Sequence, residues 1–391
     1  MAELPLAGIK VVEFTHMVMG PAVGVILADL GAEVTKIEPL QGDNTRRLKG
    51  SGAGYFAMYN RNKRSVCVDL KSEEGAKLAR ELIDDADVLI ENFRPGAMDK
   101  LGFGYDALSR SNRGLIYCSA KGFLSGPYEH RTALDEVTQM MGGLAYMTGP
   151  PGQPLRAGSS VIDITGGMFG VIGVLAALEE RHRTGVGQHV TSSLYETTAF
   201  LVGQHMAQEA VLGEIPPPMS VRRSAWAVYD IFETADEERV FVGIVSDTQW
   251  AKFCEAFGFE EFGADEELAA NNGRVAARDR IMPVIQAHFA SMNKQALMDK
   301  LESTGLPFAP IAKPHDLFDD PHLNADGGLL KVKLPTGGST KLPALPLEFD
   351  GARMGLRRPI PKEGADAEGV LADMGLDRAQ IAVLRDKGII R

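Results

Sequence analysis

The stretch GIKVVEFTHMVMGPAVGVILADLGAEVTKIEP, residues 8–39, decides the fold class. GIKVVEF is a short run rich in Val, Ile and Phe, which predicts a buried strand. PAVGVILADLGA is longer and apolar on successive turns, and it opens with Pro21, a favoured residue at a helix start. EVTKIEP returns as a second strand. A strand, a helix and a strand in this succession form a βαβ unit, whose two strands lie parallel. The connecting turn is THMVMGP, and no G-x-G-x-x-G follows the first strand. The expectation is a Rossmann-like sheet without a dinucleotide site.

Working outward, the alternation continues. KSEEGAKLARELIDDA carries helical periodicity, with Ser72 as its N-cap. DVLIENF reads as the next strand, RPGAMDKLGFGYDALSRSN as a loop, and GLIYCSA as a further strand. GSSVIDITGGMFGVIGVLAALEERHRTGVGQHV, residues 158–190, reads as a helix ended by Gly185 and Gly187. A second long helix is expected from Ser192 to Leu212. EIPPPMS marks a boundary, and AVYDIFETADEERVFVGIV reads as a β-hairpin. Helices are expected over 248–303. LPFAPIAKPHDLFDDPHL is Pro-rich and extended, a return crossing to the first domain. KVKLP and LPLEFD read as strands, and MGLDRAQIAVLRDKGII as a short amphipathic helix. The predicted organisation is a large α/β domain over 1–215 and 310–391, with a small α+β domain over 216–309.

Bulk composition bounds the function. The chain has 391 residues, 45% of them apolar and 24% charged, with a net charge of -11. That charge argues against nucleic-acid binding, where a basic face is expected. The apolar run 168–178 is too short to span a bilayer, and the start of the chain does not read as a signal peptide. Three scattered cysteines, Cys67, Cys118 and Cys254, suit free thiols in a reducing compartment. The expectation is a cytoplasmic protein with no membrane or nucleic-acid partner. No His, Cys or Asp spacing resembles a metal site, so no metal is expected. Met140 and Met141 read as core filling.

Asp163 is the chemically telling residue. A lone carboxylate at a helix entrance is commonly an N-cap, held ionised by backbone N–H groups. Here Gly166 and Gly167 follow, and residues without side chains leave room for a ligand beside the carboxylate. Asn62-Lys63-Arg64 and Asn92-Phe93-Arg94 place polar and basic groups at strand edges, where phosphates would suit them. Taken singly, each is more commonly a solvated surface residue.

Several ordered blocks resemble the family III CoA-transferases, also called the CaiB/BaiF family. They are GPAVGVILADLGAEVTKIEPLQGD, NRNKRSVCVDLKSEEG, DVLIENFRPGAMDKLGFGY, ALDEVTQMMGG and GSSVIDITGG, and they span most of residues 5–200. The resemblance implies a Rossmann-like large domain with a small domain between its halves, and two chains interlocked as a homodimer. It also implies that Asp163 is the nucleophile of a transferase moving CoA from an acyl-CoA to a carboxylic acid. An aspartyl anhydride and an aspartyl-CoA thioester would be its intermediates. CoA and acyl-CoA are then substrates, with no resident cofactor. Carried over by motif, Val18, Met19, Val68, Lys71, Asn92, Phe93, Arg94, Lys100, Arg131 and Leu134 would line the CoA site. Asp135 would stand beside the nucleophile, and backbone N–H groups near Gly166 or Gly142-Gly143 would meet oxyanions.

Departures from the family pattern narrow this. Pro39 stands where some members carry an arginine against the adenosine. The chain lacks the glycine run of the oxalate-related members between 215 and 260. The rival reading within the superfamily, a 2-methylacyl-CoA racemase, needs a histidine before the acidic residue; the triplet here is Ala133-Leu134-Asp135. A non-catalytic CoA-binding dimer is the alternative from another class. Arg222-Arg223 would suit the second carboxylate of a dicarboxylic acceptor such as succinate, or would be a surface pair at a domain junction.

Overall fold

The structure is a computed structural model that describes residues 4–222 and 224–391. Six strands form one sheet: β1 (Lys10–Phe14), β2 (Glu33–Glu38), β3 (Lys63–Cys67), β4 (Val88–Glu91), β5 (Ile116–Lys121) and β6 (His189–Ser193). Their spatial order is β3-β2-β1-β4-β5-β6, and every neighbouring pair is parallel. That is the doubly wound order in which succession reverses between β1 and β4, and ligands bind at the carboxyl ends of those two strands. The expected parallel α/β sheet is present.

Helix α1 (Met19–Asp29) joins β1 to β2 and begins two residues before Pro21. Proline is tolerated there because the first N–H groups of a helix have no intrahelical acceptor. Ser72 caps α2 (Glu73–Asp84), its Oγ accepting the Gly75 N–H at 3.0 Å. Two strands were not legible. KRSVC and HVTSS lie at the two edges of the sheet, and their polar residues hide the apolar run. Ser192 therefore lies within a strand, and the helix opens at Leu194. The stretch after β4, expected to be a loop, contains the short helices Ala97–Lys100 and Tyr105–Ser111.

Apolar residues alternate between the two faces of the sheet, as the pleat requires. Val12, Phe14, Leu89 and Tyr117 pack with Leu78 and Ile83 of α2, and with Ile381 of the carboxy-terminal helix. Val11, Val34, Ile90 and Cys118 pack against Val23 of α1 and Val171 and Val174 of a long helix. Buried aliphatic side chains of this kind each contribute roughly 1.5–3 kcal/mol. The carboxy-terminal helix, Arg378–Asp386, starts at a capping box of Asp377 and Gln380.

Three more helices complete the part that matters for function: α3 (Asp135–Met141), α4 (Val161–Thr184) and α5 (Leu194–Leu212). Met140 in α3 is exposed, so it does not fill the core. Gly185 ends α4 in the left-handed conformation, at φ +70°. The apolar run over 168–178 is embedded in this helix of 24 residues, which by length and composition alone would suffice to cross a membrane. Its small-residue face is packed on α1 and β6.

The residues fall into two compact units, Met1–Val221 with Pro321–Arg391, and Arg222–Asp320. In the second unit, β7 (Tyr229–Glu233) and β8 (Arg239–Gly243) form the expected hairpin, with Glu237 at its tip at φ +58°. β9 (Phe308–Pro310) adds to β8. The first residues of the stretch expected to be a return crossing thus belong to this unit's sheet. Trp250, Phe253, Phe257 and Phe289 dominate its core.

Candidate active site

Asp163 is the third residue of α4, not its N-cap. Ser160 occupies the cap position, and its hydroxyl makes no cap bond. The cap comes from another element. Asp135, the first residue of α3, accepts the N–H groups of Ile162 and Asp163 on Oδ2 at 2.9 and 3.1 Å. Asp135 is buried; Gln139 Nε2 donates to its Oδ1 at 2.6 Å, and Arg156 Nη2 lies 3.3 Å from that oxygen.

Two carboxyl groups therefore share one helix entrance. Burial and then the charge of Asp135 push the Asp163 carboxyl up to about 7, with Arg156 opposing them. This reverses the expectation that the helix end would hold Asp163 ionised: Asp135 has already taken the N–H groups there. Two tyrosines and Arg156 escaped the sequence reading. Tyr55 and Tyr59 stand one turn apart on the short helix Tyr55–Tyr59, and Tyr55 Oη lies 3.3 Å from Ser160 Oγ. Burial, and then the charge of Asp163, raise the Tyr59 phenol to about 12. Their i, i+4 spacing just before NRNKR was the available signal.

The glycines after Asp163 have a different purpose from the one expected. A Cβ on Gly167 would lie 2.9 Å from Ala22 Cβ and 3.0 Å from Met19 O, and one on Gly166 2.8 Å from Met19 Cε. Further along, a Cβ on Gly170 would meet Val23 at 3.0 Å, and one on Gly173 would meet Val190 at 2.5 Å. These residues let α4 approach α1 and β6 closely; they are packing contacts and not space for a thioester. Gly167→Val should cost about 1–3 kcal/mol by overpacking. A urea midpoint unchanged from wild type would refute this reading.

The second part of the candidate site lies at the carboxyl ends of β1 and β4. Asn92 stitches the two turns together: its Oδ1 accepts the His16 N–H at 3.0 Å, and its Nδ2 donates to His16 O at 2.8 Å. Phe93 stacks at a tilt on His16, with ring centroids 5.6 Å apart. Val18 and Met19 are buried, and Met19 packs on Gly166, which links the first turn to the Asp163 helix. Val68 is buried in the core, so its side chain does not reach a ligand. Lys71, Arg94 and Lys100 are exposed. Arg131 lies over the Tyr128 ring at 4.9 Å, and Leu134 is 59% exposed. Arg222 opens the second unit, and Arg223 lies outside the described residues.

Lys63 and Arg64 are not phosphate ligands. Lys63 is fully buried, with Nζ 2.9 Å from Glu13 Oε1. Arg64 is drawn to Asp373 at 2.6 Å. A cleft of about 220 Å³ opens on the β4–β5–β6 side, lined by Arg94, Tyr105, Tyr117, Lys121 and His189 among others. There His189 stacks on Tyr105 at 5.0 Å and lies 3.0 Å from Ser119 Oγ.

Chemically, a half-buried carboxyl with a raised pKa can act as a nucleophile or carry a proton. The second role needs a partner base. The residue before Asp135 is a leucine, and His130 is exposed. The charges acting on Asp163 are those of Asp135 and Arg156. The model of "CoA-transferase family III" matches residues 6–367. The chain belongs to family III of the CoA-transferases.

It is an enzyme that transfers CoA, and its relatives carry that activity in their names. The succinate–glutarate CoA-transferase of Agrobacterium fabrum is 34% identical, over 95% of this chain and 96% of the relative. The acetyl-CoA:oxalate CoA-transferase of Acetobacter aceti is also 34% identical, over 89% of this chain and 90% of the relative. Among solved structures, a CaiB/BaiF family protein from Brucella suis superposes with a TM-score of 0.81 at 34% identity, covering 95% of this chain and all of that one. These two transferases, at equal identity, are named for different acids.

Proposed function

We propose that this family III transferase moves CoA between an acyl-CoA and a carboxylic acid through covalent intermediates on Asp163. The carboxylate pair at the entrance of α4 carries this reading. Ionised Asp163 attacks the thioester carbonyl; the C–S bond breaks, giving an acyl–aspartyl anhydride and the CoA thiolate. The thiolate adds to the aspartyl carbonyl and expels the donor acid as a carboxylate, leaving an aspartyl-CoA thioester. An acceptor carboxylate attacks that thioester and the steps run in reverse, regenerating Asp163. Each step exchanges one acyl bond for another, so no net proton is consumed. CoA lies along the turns after β1 and β4, with Lys71, Arg94, Lys100 and Arg131 available to its phosphates. Asp135 keeps the reactive helix end in place.

The working form is a homodimer, interlocked as its family resemblance implies. What supports the association is a set of exposed apolar side chains on α4 and α5. Met168 and Ile172 on α4, and Phe200, Met206 and Val211 on α5, are all exposed, Val211 at 81%. A dicarboxylate such as succinate is the acceptor class that Arg222 and Arg223 suggest. The three buried thiols suit the cytoplasm.

Trapping with hydroxylamine tests the mechanism. Incubation with succinyl-CoA and other acyl-CoA donors should convert Asp163 to a hydroxamate detectable by peptide mass spectrometry. Absence of that adduct with every donor that supports CoA exchange would remove Asp163 from the covalent role. The same donors set against an array of acids give the acceptor.

A further inference from the structure

Both turns at the crevice are fastened by buried or partly buried side chains. In the first turn, Lys36 Nζ donates to Thr15 O at 2.6 Å, and Lys63 Nζ donates to Pro21 O at 3.0 Å. Both ammonium groups share Glu13, at 3.6 and 2.9 Å. Between these anchors Met17 holds the left-handed conformation at φ +62°, its N–H donating to Thr45 Oγ1 at 2.9 Å. In the second turn, Phe93 N–H donates to Glu91 Oε2 at 3.0 Å, and Phe93 O accepts from Lys121 Nζ at 2.8 Å. Lys121 closes the loop on Glu91 at 2.6 Å.

The two sets lie on opposite faces of the sheet. Glu13 lies opposite Lys36 in the β1–β2 register, on the face that carries α1. Glu91 lies opposite Phe14 of β1 and Ser119 of β5, on the α2 face. We propose that these are two glutamate–lysine clamps that hold the turns receiving CoA, and that Lys36, Lys63 and Lys121 are positioning residues for that substrate. The proposal rests on the CoA-transferase reading above.

Charge economy supports it. A buried ion pair adds little stability over apolar side chains of the same volume, so stability alone does not call for the buried Lys36 and Lys63, nor for the partly buried Lys121 on buried Glu91. What an ammonium adds is three donors. Each of these lysines spends one on a main-chain carbonyl of a ligand turn and directs others at a carboxylate. Where a glycine-rich turn takes its shape from backbone freedom, this turn has none of the G-x-G-x-x-G glycines and takes its shape from side-chain donors.

Lys121→Met tests the clamp on the second turn. The probe is CoA itself, titrated calorimetrically into the full chain, followed by steady-state kinetics with separate donor and acceptor series. Loss of a charged hydrogen bond predicts CoA binding weakened about tenfold or more, with the donor KM raised in proportion. The kcat and the acceptor KM should stay within about twofold, a split that general loosening of the fold does not produce. CoA affinity equal to wild type, or a fall in kcat without a rise in donor KM, would overturn the clamp alone. A wild-type chain that fails to bind CoA would overturn the transferase reading and the clamp together. Should Lys121→Met lose its circular dichroism, Glu91→Gln/Lys121→Met takes its place, since it leaves no unpaired buried charge, and is read by the same results.

Discussion

Asp163→Ala is expected to lower CoA transfer by about 10⁴-fold or more while CoA binding stays within a fewfold, the pattern for loss of a covalent nucleophile. The pH dependence sharpens the expectation. Only the carboxylate attacks, and the Asp163 carboxyl is pushed up to about 7 by burial and by Asp135. Transfer by the wild type should therefore rise with pH through about 7. Asp135→Asn removes the like charge and should move that midpoint down; Arg156→Met removes the opposing cation and should move it up. The stability linkage has the opposite sense. A carboxyl whose pKa is raised on folding, from 3.8 to about 7, binds more protons when folded. Its contribution is complete below the unfolded value and is lost as pH rises through about 7. Asp163→Asn should thus raise the melting temperature at pH 8 relative to wild type, although it removes activity. A flat rate profile between pH 6 and 8, or no stabilisation in the variant, would show that Asp163 does not ionise as placed here.

Much of the sheet is readable in the sequence, and the parts that are not share a cause. β1, α1 and β2 were legible because β-branched residues recur in both short strands and the helix between them is apolar nearly throughout. β3 and β6 were not, because edge strands need only a few apolar residues and KRSVC and HVTSS have few. Asp163 stands out in the sequence as an unexplained charge, yet its helix position and its cap depend on Asp135, 28 residues earlier. Long-range pairing of that kind leaves no periodic trace. The same blindness turned Lys63 into a surface cation. Its partner Glu13 is 50 residues away and reads locally as one polar residue in an apolar strand. Gly166 and Gly167 were legible as positions without side chains, but not as positions facing Met19 and Ala22. A sequence shows which residues are unusual, whereas the reason often lies on another element.

Glu13 illustrates the point with a measurable consequence. It is fully buried and serves two ammonium groups, Lys63 at 2.9 Å and Lys36 at 3.6 Å. Lys36 keeps a second carboxylate, Asp43, at 3.2 Å. Among the described residues Lys63 has no second carboxylate within ion-pair distance, its remaining partners being Pro21 O and Asn60 Oδ1. The fold makes room for this pair: a Cβ on Gly24 would fall 1.8 Å from Glu13 Oε2. Glu13→Gln keeps the shape and removes the charge, leaving Lys63 as an uncompensated buried cation. Breaking a buried pair from one side costs about 3–5 kcal/mol, so the urea midpoint should fall steeply at pH 7. The loss should depend on pH. Burial already depresses the Lys63 ammonium from 10.5 to about 8 despite Glu13. The unfolded chain thus binds more protons between those values, and the contribution of Lys63 to stability rises with pH across that window. Without Glu13 the folded pKa falls further and the window opens at lower pH. The deficit of Glu13→Gln relative to wild type should therefore be largest at pH 7 and smaller at pH 10. A deficit that is constant over that range would mean that Lys63 does not carry the unpaired charge.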